Sequence, residues 1–335
     1  MIENETVVLL ETARQRKLQG ETGYGDLYRR AAWSVYHEQP GNLDQAELVL
    51  QELLSAPETA FDVYDSYRML GQMHAGKRLW ADAIDFYGQA KQIGETTPSM
   101  AADHPLLTTS IWRGLSMALL AHGDPAGAAL IDIQIRDHQT IDFSQIARKN
   151  AALRAAENFL RANDHDACVG AWDQFEQQFP ERFAGREGVF WHMERAGAIA
   201  SFQDDLATQL ELVWNQPDVR EFDTGLHVVL ALSTAWLQLS DIPTHKEFAH
   251  GVLGEGWATI QQHEAEWIAG YQGDQEKIDS LRAMTRMIIA DLVQTGMELG
   301  RWNEALPVAQ AYLSRHGDTD ARAAQWVSMI QNEMP

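Results

Sequence analysis

The segment from Tyr64 to Gly94 reads YDSYRMLGQMHAGKRLWADAIDFYGQAKQIG and contains two amphipathic helical patterns separated by a turn at Ala75 and Gly76. One face of the first helix consists of Tyr67, Leu70, Gly71 and His74, and the matching face of the second consists of Ala83, Tyr87 and Ala90. Small side chains at Gly71 and Ala83 allow two helices to approach closely, while the larger ones fill the space around them. This segment therefore predicts a pair of packed antiparallel helices.

The pattern resembles a tetratricopeptide repeat (TPR), in which a large aromatic, Leu-Gly, a Tyr, a small residue and a second aromatic recur at fixed spacing. His74 stands where that Tyr is usual. Small residues at the same place in four successive pairs are Ala46, Ala83, Ala128 and Cys168. They recur at about 40 residues, longer than the roughly 34 of the family. In the third pair Asp132 replaces the aromatic, which marks that repeat as degenerate.

The resemblance implies an all-α fold, an α-α superhelix or TPR-like solenoid of antiparallel helix pairs with roughly 14 to 16 helices. We expect a capping helix and loop over residues 1–24 and TPR-like repeats over 25–181. Residues 182–335 are expected to form further helical repeats with a degenerate pattern, ending in a capping helix from Asp320. The segment from Thr96 to Pro105 is predicted to be a loop, and Pro40-Gly41 a turn.

Composition narrows the classes of partner. Across 335 residues the formal net charge is −22, which disfavours nucleic acid and anionic membranes as general partners. Cys168 is the one cysteine, so no intrachain disulfide forms, as in proteins of a reducing compartment. The apolar segments are too short to span a bilayer, and the N-terminal charge order is the reverse of a secretory signal. We therefore predict a cytoplasmic protein without membrane insertion.

Motifs for catalysis or cofactor binding are incomplete. The run from Gly71 to Lys77 has the spacing of a phosphate-binding loop, but Arg78 follows where Ser or Thr must hold magnesium. His263-Glu264 begins like a zinc-protease motif, yet Trp267 occupies the place of its second His. Asp204-Asp205 is followed by Thr208 in place of the third acid of a magnesium-diphosphate motif. We expect no metal, no cofactor and no enzymatic activity.

The resemblance also implies a binding face. In TPR proteins the first helices of successive pairs line a concave groove, and basic and Asn side chains there clamp the carboxylates of a peptide terminus. The positions that this register places on the groove are Arg68, Gln72, Arg113, Met117, Asn150 and Arg154. Three arginines in so acidic a chain predict a partner that is a protein or peptide, acidic or carboxylate-terminated. The alternative is that these arginines pair with neighbouring acids on a solvated surface.

The sequence thus favours a non-catalytic scaffold or adaptor that binds a partner in its concave groove. Two other functions stay open. One is a regulatory sensor whose helical repeat responds to a peptide or small ligand. The other is an all-helical enzyme with a non-standard site between Phe183 and Asp274, where the repeat pattern is too weak to assign.

Overall fold

The computed structural model describes residues 2–38, 42–203, 205–238, 243–317 and 322–333. These residues form 17 α-helices and two short 3-10 turns, at Pro180–Arg182 and Pro217–Glu221, and contain no β-strand. The helices are α1 (Ile2–Gln19), α2 (Tyr24–Glu38), α3 (Leu43–Leu54), α4 (Ala60–Gly76), α5 (Trp80–Thr96), α6 (Pro98–Asp103), α7 (Pro105–His122), α8 (Pro125–Asp137), α9 (Gln145–Arg161), α10 (His165–Gln178), α11 (Gly185–Gln203), α12 (Leu206–Trp214), α13 (Gly225–Gln238), α14 (Pro243–Gly270), α15 (Gln275–Glu298), α16 (Trp302–His316) and α17 (Arg322–Glu333). The predicted all-α class of consecutively packed helices is confirmed.

Packing follows chain order within two compact units, Met1–Phe175 and Glu176–Pro335. In the first unit α1 to α5 each pack on the next helix, α5 packs on α7, and α7, α8 and α9 follow in turn. Short connections make such neighbours antiparallel. In addition α2 contacts α4, and α4 contacts α7. The first helices α2, α4 and α7 therefore form one continuous layer.

The second unit repeats this arrangement. Each helix from α11 to α16 packs on the one that follows it, and the alternate helices α11, α13 and α15 also contact one another. Its core is a single cluster of buried apolar side chains that includes Leu226, Leu253, Ile260, Leu281 and Ile288. Each of the described helices is too short or too polar to cross a membrane.

An aromatic side chain and two glycines join the first helices of the unit-1 layer. Tyr87 of α5 packs against Gly71 of α4 and Gly114 of α7. A Cβ added at Gly71 would lie 2.8 Å from the Tyr87 ring, and one at Gly114 would lie 2.5 Å from it. The prediction that Gly71 provides room for Tyr87 is correct, and Gly114 on the next first helix provides the second half of that space.

Two local predictions are wrong. The segment from Thr96 to Pro105 is not a loop, because it contains the short helix α6, which places Met100 and Ala101 in the core. The Thr108 hydroxyl donates to the carbonyls of Ala101 and His104, both at 3.0 Å, and ties α6 to the start of α7. The turn placed at Ala75 and Gly76 comes later, because α4 continues to Gly76.

Because α4 continues to Gly76, the residues with phosphate-loop spacing do not form a phosphate-binding loop. The residues from Gly71 to Gly76 lie in α4, and their backbone N–H groups are committed to helical geometry instead of wrapping an anion. Three sequence features lie outside the described residues: the Pro40-Gly41 turn, the first acid of Asp204-Asp205, and the start of the capping helix at Asp320.

Candidate binding groove

The first helices of unit 1 border an open groove of about 730 Å³, here called the α2–α4 groove. Its lining is Leu9 from α1, then Asp26, Arg29, Arg30, Trp33 and Ser34 from α2, and Asp65, Arg68, Met69 and Gln72 from α4. Two predicted site residues, Arg68 and Gln72, are therefore brought together in one cavity. Arg68 Nη1 donates to Gln72 Oε1 at 2.9 Å.

An apolar strip runs through the groove. Trp33 keeps 37% of its surface exposed, whereas Met69 beside it in the lining is buried. A large aromatic side chain that is half open to solvent and stands in a cavity can anchor a partner's apolar side chain. The exposure of Trp33 depends on how α1 and α4 pack against α2.

Other charged side chains in and beside the groove form a chain of ion pairs. Asp65 receives Arg68 Nε on its Oδ1 at 2.6 Å and Arg29 Nε on its Oδ2 at 3.2 Å. Arg29 also pairs with Asp62, and its guanidinium lies 5.0 Å from the centre of the Phe61 ring. Both arginines are thus fixed in place and largely neutralised. An incoming carboxylate would have to share them with Asp65.

Arg30 differs from those two arginines. Its side chain is 59% exposed, and its Nη1 atom lies 3.9 Å from Asp26 Oδ2 in a solvated i,i+4 pair. Such solvated pairs are weak, so Arg30 can turn toward a ligand at little cost. Within the groove Arg30 is the cation that a bound acid could recruit most easily.

Asp62 couples the groove to the start of α4. Its Oδ2 accepts from the backbone N–H of Thr59 at 2.9 Å, while the Thr59 hydroxyl accepts from the N–H of Asp62 at 3.2 Å. This reciprocal pair is a capping box, which satisfies backbone donors that a helix N-terminus otherwise leaves unpaired. The same carboxylate contacts Arg29 through Oδ1.

The other predicted site residues lie on later first helices. On α7, Arg113 is exposed and Met117 keeps 55% of its surface open to solvent. On α9, Asn150 is exposed. None of these three lines the α2–α4 groove, although all stand on helices of the kind that the sequence assigned to the binding face.

Arg154 of α9 is committed to a buried carboxylate. Its Nε and Nη2 donate to Asp132 Oδ1 at 3.0 and 2.6 Å, and Asp132 is completely buried. The second oxygen, Oδ2, accepts from Ser116 Oγ at 2.9 Å and Asn158 Nδ2 at 3.3 Å. Burial raises the pKa of Asp132 above its usual range, and the bonds from Arg154, Ser116 and Asn158 oppose that shift. The side chain of Arg154 thus joins α8 to α9.

This network explains the degenerate repeat. Where Tyr87 fits between Gly71 and Gly114, the shorter Asp132 fits between Ser116 and Arg154. The aromatic contact is replaced by a hydrogen-bonded ion pair. Asp132 in an aromatic position was visible in the sequence, but its partner stands on a different helix and could not be identified from spacing.

Comparison with known proteins adds little to these observations. No protein-family model matches the sequence, and no curated protein matches it either. Among solved structures, the Rap conjugation gene regulator of plasmid pLS20, in complex with the Phr* peptide, is 11% identical with a TM-score of 0.33; the comparison covers 99% of this chain and 95% of that one. A circular tandem repeat protein is 13% identical with a TM-score of 0.25, covering 99% and 96%. Because these TM-scores are low, the fold is established by the helices and contacts of this chain.

Proposed function

We propose that this protein is a non-catalytic, TPR-like scaffold or adaptor of the cytoplasm that holds a protein or peptide partner against the first helices of unit 1. The observation that carries the proposal is the α2–α4 groove, where exposed Trp33 stands beside Arg30, Arg68 and Gln72. Such a combination suits an extended segment that presents an apolar side chain next to an acidic one.

The chain of ion pairs supports a specific kind of partner. Arg68 and Arg29 are already paired with aspartates, so they position a ligand instead of attracting it strongly. Arg30 is left to supply the net attraction for an acidic ligand. An acidic or carboxylate-terminated peptide anchored by Trp33 fits this arrangement. Arg113 and Met117 on α7 would extend the contact along the layer of first helices.

Site-specific photo-crosslinking in the native host tests where the partner sits. We place a benzophenone amino acid at Gln72 and, separately, at Met117, both of which are exposed on first helices. Matched controls carry it at Leu48 on α3 and Leu130 on α8, which are exposed second-helix positions. We expect the same crosslinked protein from Gln72 and Met117 and none from the controls. Equal yields from all four positions would contradict binding on the first helices.

Substitution then tests the residues themselves. We expect Trp33→Ala to weaken capture of the crosslinked partner by about tenfold or more, since aromatic anchors carry much of an interface's affinity. Joint charge reversal of Arg68 and Arg113 should weaken it as well, whereas Leu48→Ala should not. Unchanged capture by Trp33→Ala and by the charge-reversed protein, with thermal unfolding intact, would remove the groove from consideration.

A further inference from the structure

Unit 2 contains a cavity of about 420 Å³ within the part of the sequence whose repeat pattern is weakest. The cavity lies among the Pro180–Arg182 turn, the N-terminal half of α11 and the Pro217–Glu221 turn. Small-molecule sites commonly have volumes of about 300–1,000 Å³. The size therefore suits a small organic molecule.

Apolar side chains form the inner wall of this cavity. Phe183, Val189 and Val219 line it and are all buried. The His192 ring lies 5.1 Å from the Phe183 ring, centre to centre. A ligand entering this space would bury a compact apolar body against these side chains.

His192 fixes the hydrogen-bonding character of one side. Its Nε2 lies 3.1 Å from the carbonyl oxygen of Phe183, which can only accept, so Nε2 carries the proton. Nδ1 then faces the Gln216 amide nitrogen at 3.5 Å as an acceptor. Burial lowers the pKa of His192, in agreement with a neutral ring. The imidazole therefore adds no positive charge to the cavity.

The other polar side chains of the lining present acceptor oxygens. Asp218 is an exposed carboxylate of the lining, and Glu176 is a second one whose charge is offset by Arg195, with Nη1 at 2.7 Å from its Oε2. Gln216, whose amide nitrogen faces His192, has its carbonyl oxygen as a further acceptor. The lining includes two acids, and Lys and Arg do not occur among its residues.

We propose that this cavity binds a small protonated amine, with its apolar body against Phe183 and Val189 and its ammonium group at the Asp218 carboxylate. An ammonium group is a donor with no acceptor capacity, and it matches a rim of carboxylate and amide oxygens above an apolar wall. The same rim disfavours an anion of equal size. This ligand site is separate from the groove in unit 1 and does not depend on the function proposed there.

Titration of the full-length protein with benzylamine tests the assignment. The protein carries ¹³C at the Cε1 atoms of its 12 histidines, and the His192 signal is identified by its loss in His192→Asn. We expect benzylamine to shift the His192 signal in a saturable way. Benzyl alcohol, which has the same shape without the charge, should bind about tenfold more weakly because it loses a charge-assisted hydrogen bond. Benzoate should leave the signal unchanged.

Matched substitutions connect that response to the cavity. Ala184 lines the mouth and is exposed, so Ala184→Trp should block entry and abolish the shift; Ala324→Trp, at an exposed position of α17, should not. Asp218→Asn should weaken benzylamine binding about threefold while leaving benzyl alcohol unaffected. Asp279→Asn is its exposed control. Thermal unfolding of each variant checks that the fold is retained.

Three results would each overturn the proposal. They are no saturable response to benzylamine, equal affinities for benzylamine and benzyl alcohol, and a response that persists in folded Ala184→Trp. The second would show an apolar cavity without selectivity for a cation, and the third would place the ligand elsewhere.

Discussion

Asp132 shows how one residue can change the chemistry of the contact between the helices of a repeat. Tyr87 fills the gap between first helices with a ring, whereas Asp132 fills the next gap with a carboxylate bonded to Arg154, Ser116 and Asn158. Taking charges out of water is costly, and only complete pairing offsets that cost. The pair is therefore sensitive to loss of either member.

We predict that Asp132→Ala lowers the free energy of unfolding of unit 1 by about 3 kcal/mol, toward the lower end for broken buried pairs. The lower end applies because the Arg154 side chain keeps 27% exposure and can turn to water. Urea unfolding followed by circular dichroism measures the change. In Asp132→Ala/Arg154→Ala the loss should be smaller than the sum of the single losses.

The control for that cycle is an ion pair of similar length at the surface. Lys246 Nζ lies 2.8 Å from Glu298 Oε2, and both side chains are more than a third exposed. Glu298→Ala should cost less than about 1 kcal/mol. Equal losses for Asp132→Ala and Glu298→Ala would show that burial of Asp132 is unimportant.

At the level of single residues, the sequence predicted only part of the groove. Arg68 and Gln72 were predicted from the repeat register and do lie together in one cavity. Arg154 occupies an equivalent register position, yet it is bonded to Asp132, because the side chain one helix away is an acid instead of an aromatic. Register specifies which face a residue occupies, while its neighbour across the helix crossing decides whether it stays available.

Among the helices themselves, periodicity predicted most of the elements. The two helical patterns of the Tyr64–Gly94 segment, for example, correspond to α4 and α5. Helix α6 was missed because Pro98 and Pro105 bracket six residues, too few to show a period. Those residues are helical because Pro is favourable in a first turn and because Met100 and Ala101 bury their side chains.

Helix packing around Tyr87 provides a test at this scale. Replacing an exposed helical Gly by Ala normally stabilises a helix by about 1 kcal/mol. At Gly114 the new Cβ would lie 2.5 Å from the Tyr87 ring, so α5 and α7 would have to separate. We predict that Gly114→Ala lowers the free energy of unfolding by about 1–3 kcal/mol.

Gly88 is the matched control, since it lies in α5 next to Tyr87 and an added Cβ there would meet no atom within 4 Å. Gly88→Ala should raise the urea midpoint, whereas Gly114→Ala should lower it. Stabilisation by both substitutions would mean that the Tyr87 ring moves aside without cost, contrary to the close packing of this layer.

Across the whole molecule, histidines that are buried or half-buried should make stability depend on pH. Burial lowers the pKa of four of them: His138, His192, His227 and His250. In the unfolded chain these rings take up protons near their ordinary pKa of 6.5, whereas in the fold they do so only at lower pH. Their contribution to stability is therefore present above pH 6.5 and is lost as the pH falls below it.

We predict that the thermal midpoint falls between about pH 7.5 and about pH 5.5, a window in which carboxylates stay largely ionised. Each extra proton bound by the unfolded chain changes the unfolding free energy by about 1.4 kcal/mol per pH unit. His250→Asn should reduce the slope of the thermal midpoint against pH, because Asn does not take up a proton. Asn can still bond Thr295 in place of the imidazole, so the fold is retained. His122→Asn, at an exposed position, should leave it unchanged. Identical slopes in the wild type and His250→Asn would refute this account.

The capping box at the start of α4 has a consequence for communication within unit 1. The carboxylate of Asp62 both caps the start of α4, by accepting from the Thr59 N–H, and pairs with Arg29 of the groove. We therefore expect an occupant that draws Arg29 away from Asp62 to leave this capping carboxylate less firmly held and the first turn of α4 less stable. Fraying of the first turn of α4 and occupancy of the groove would then be linked equilibria, because Asp62 takes part in both.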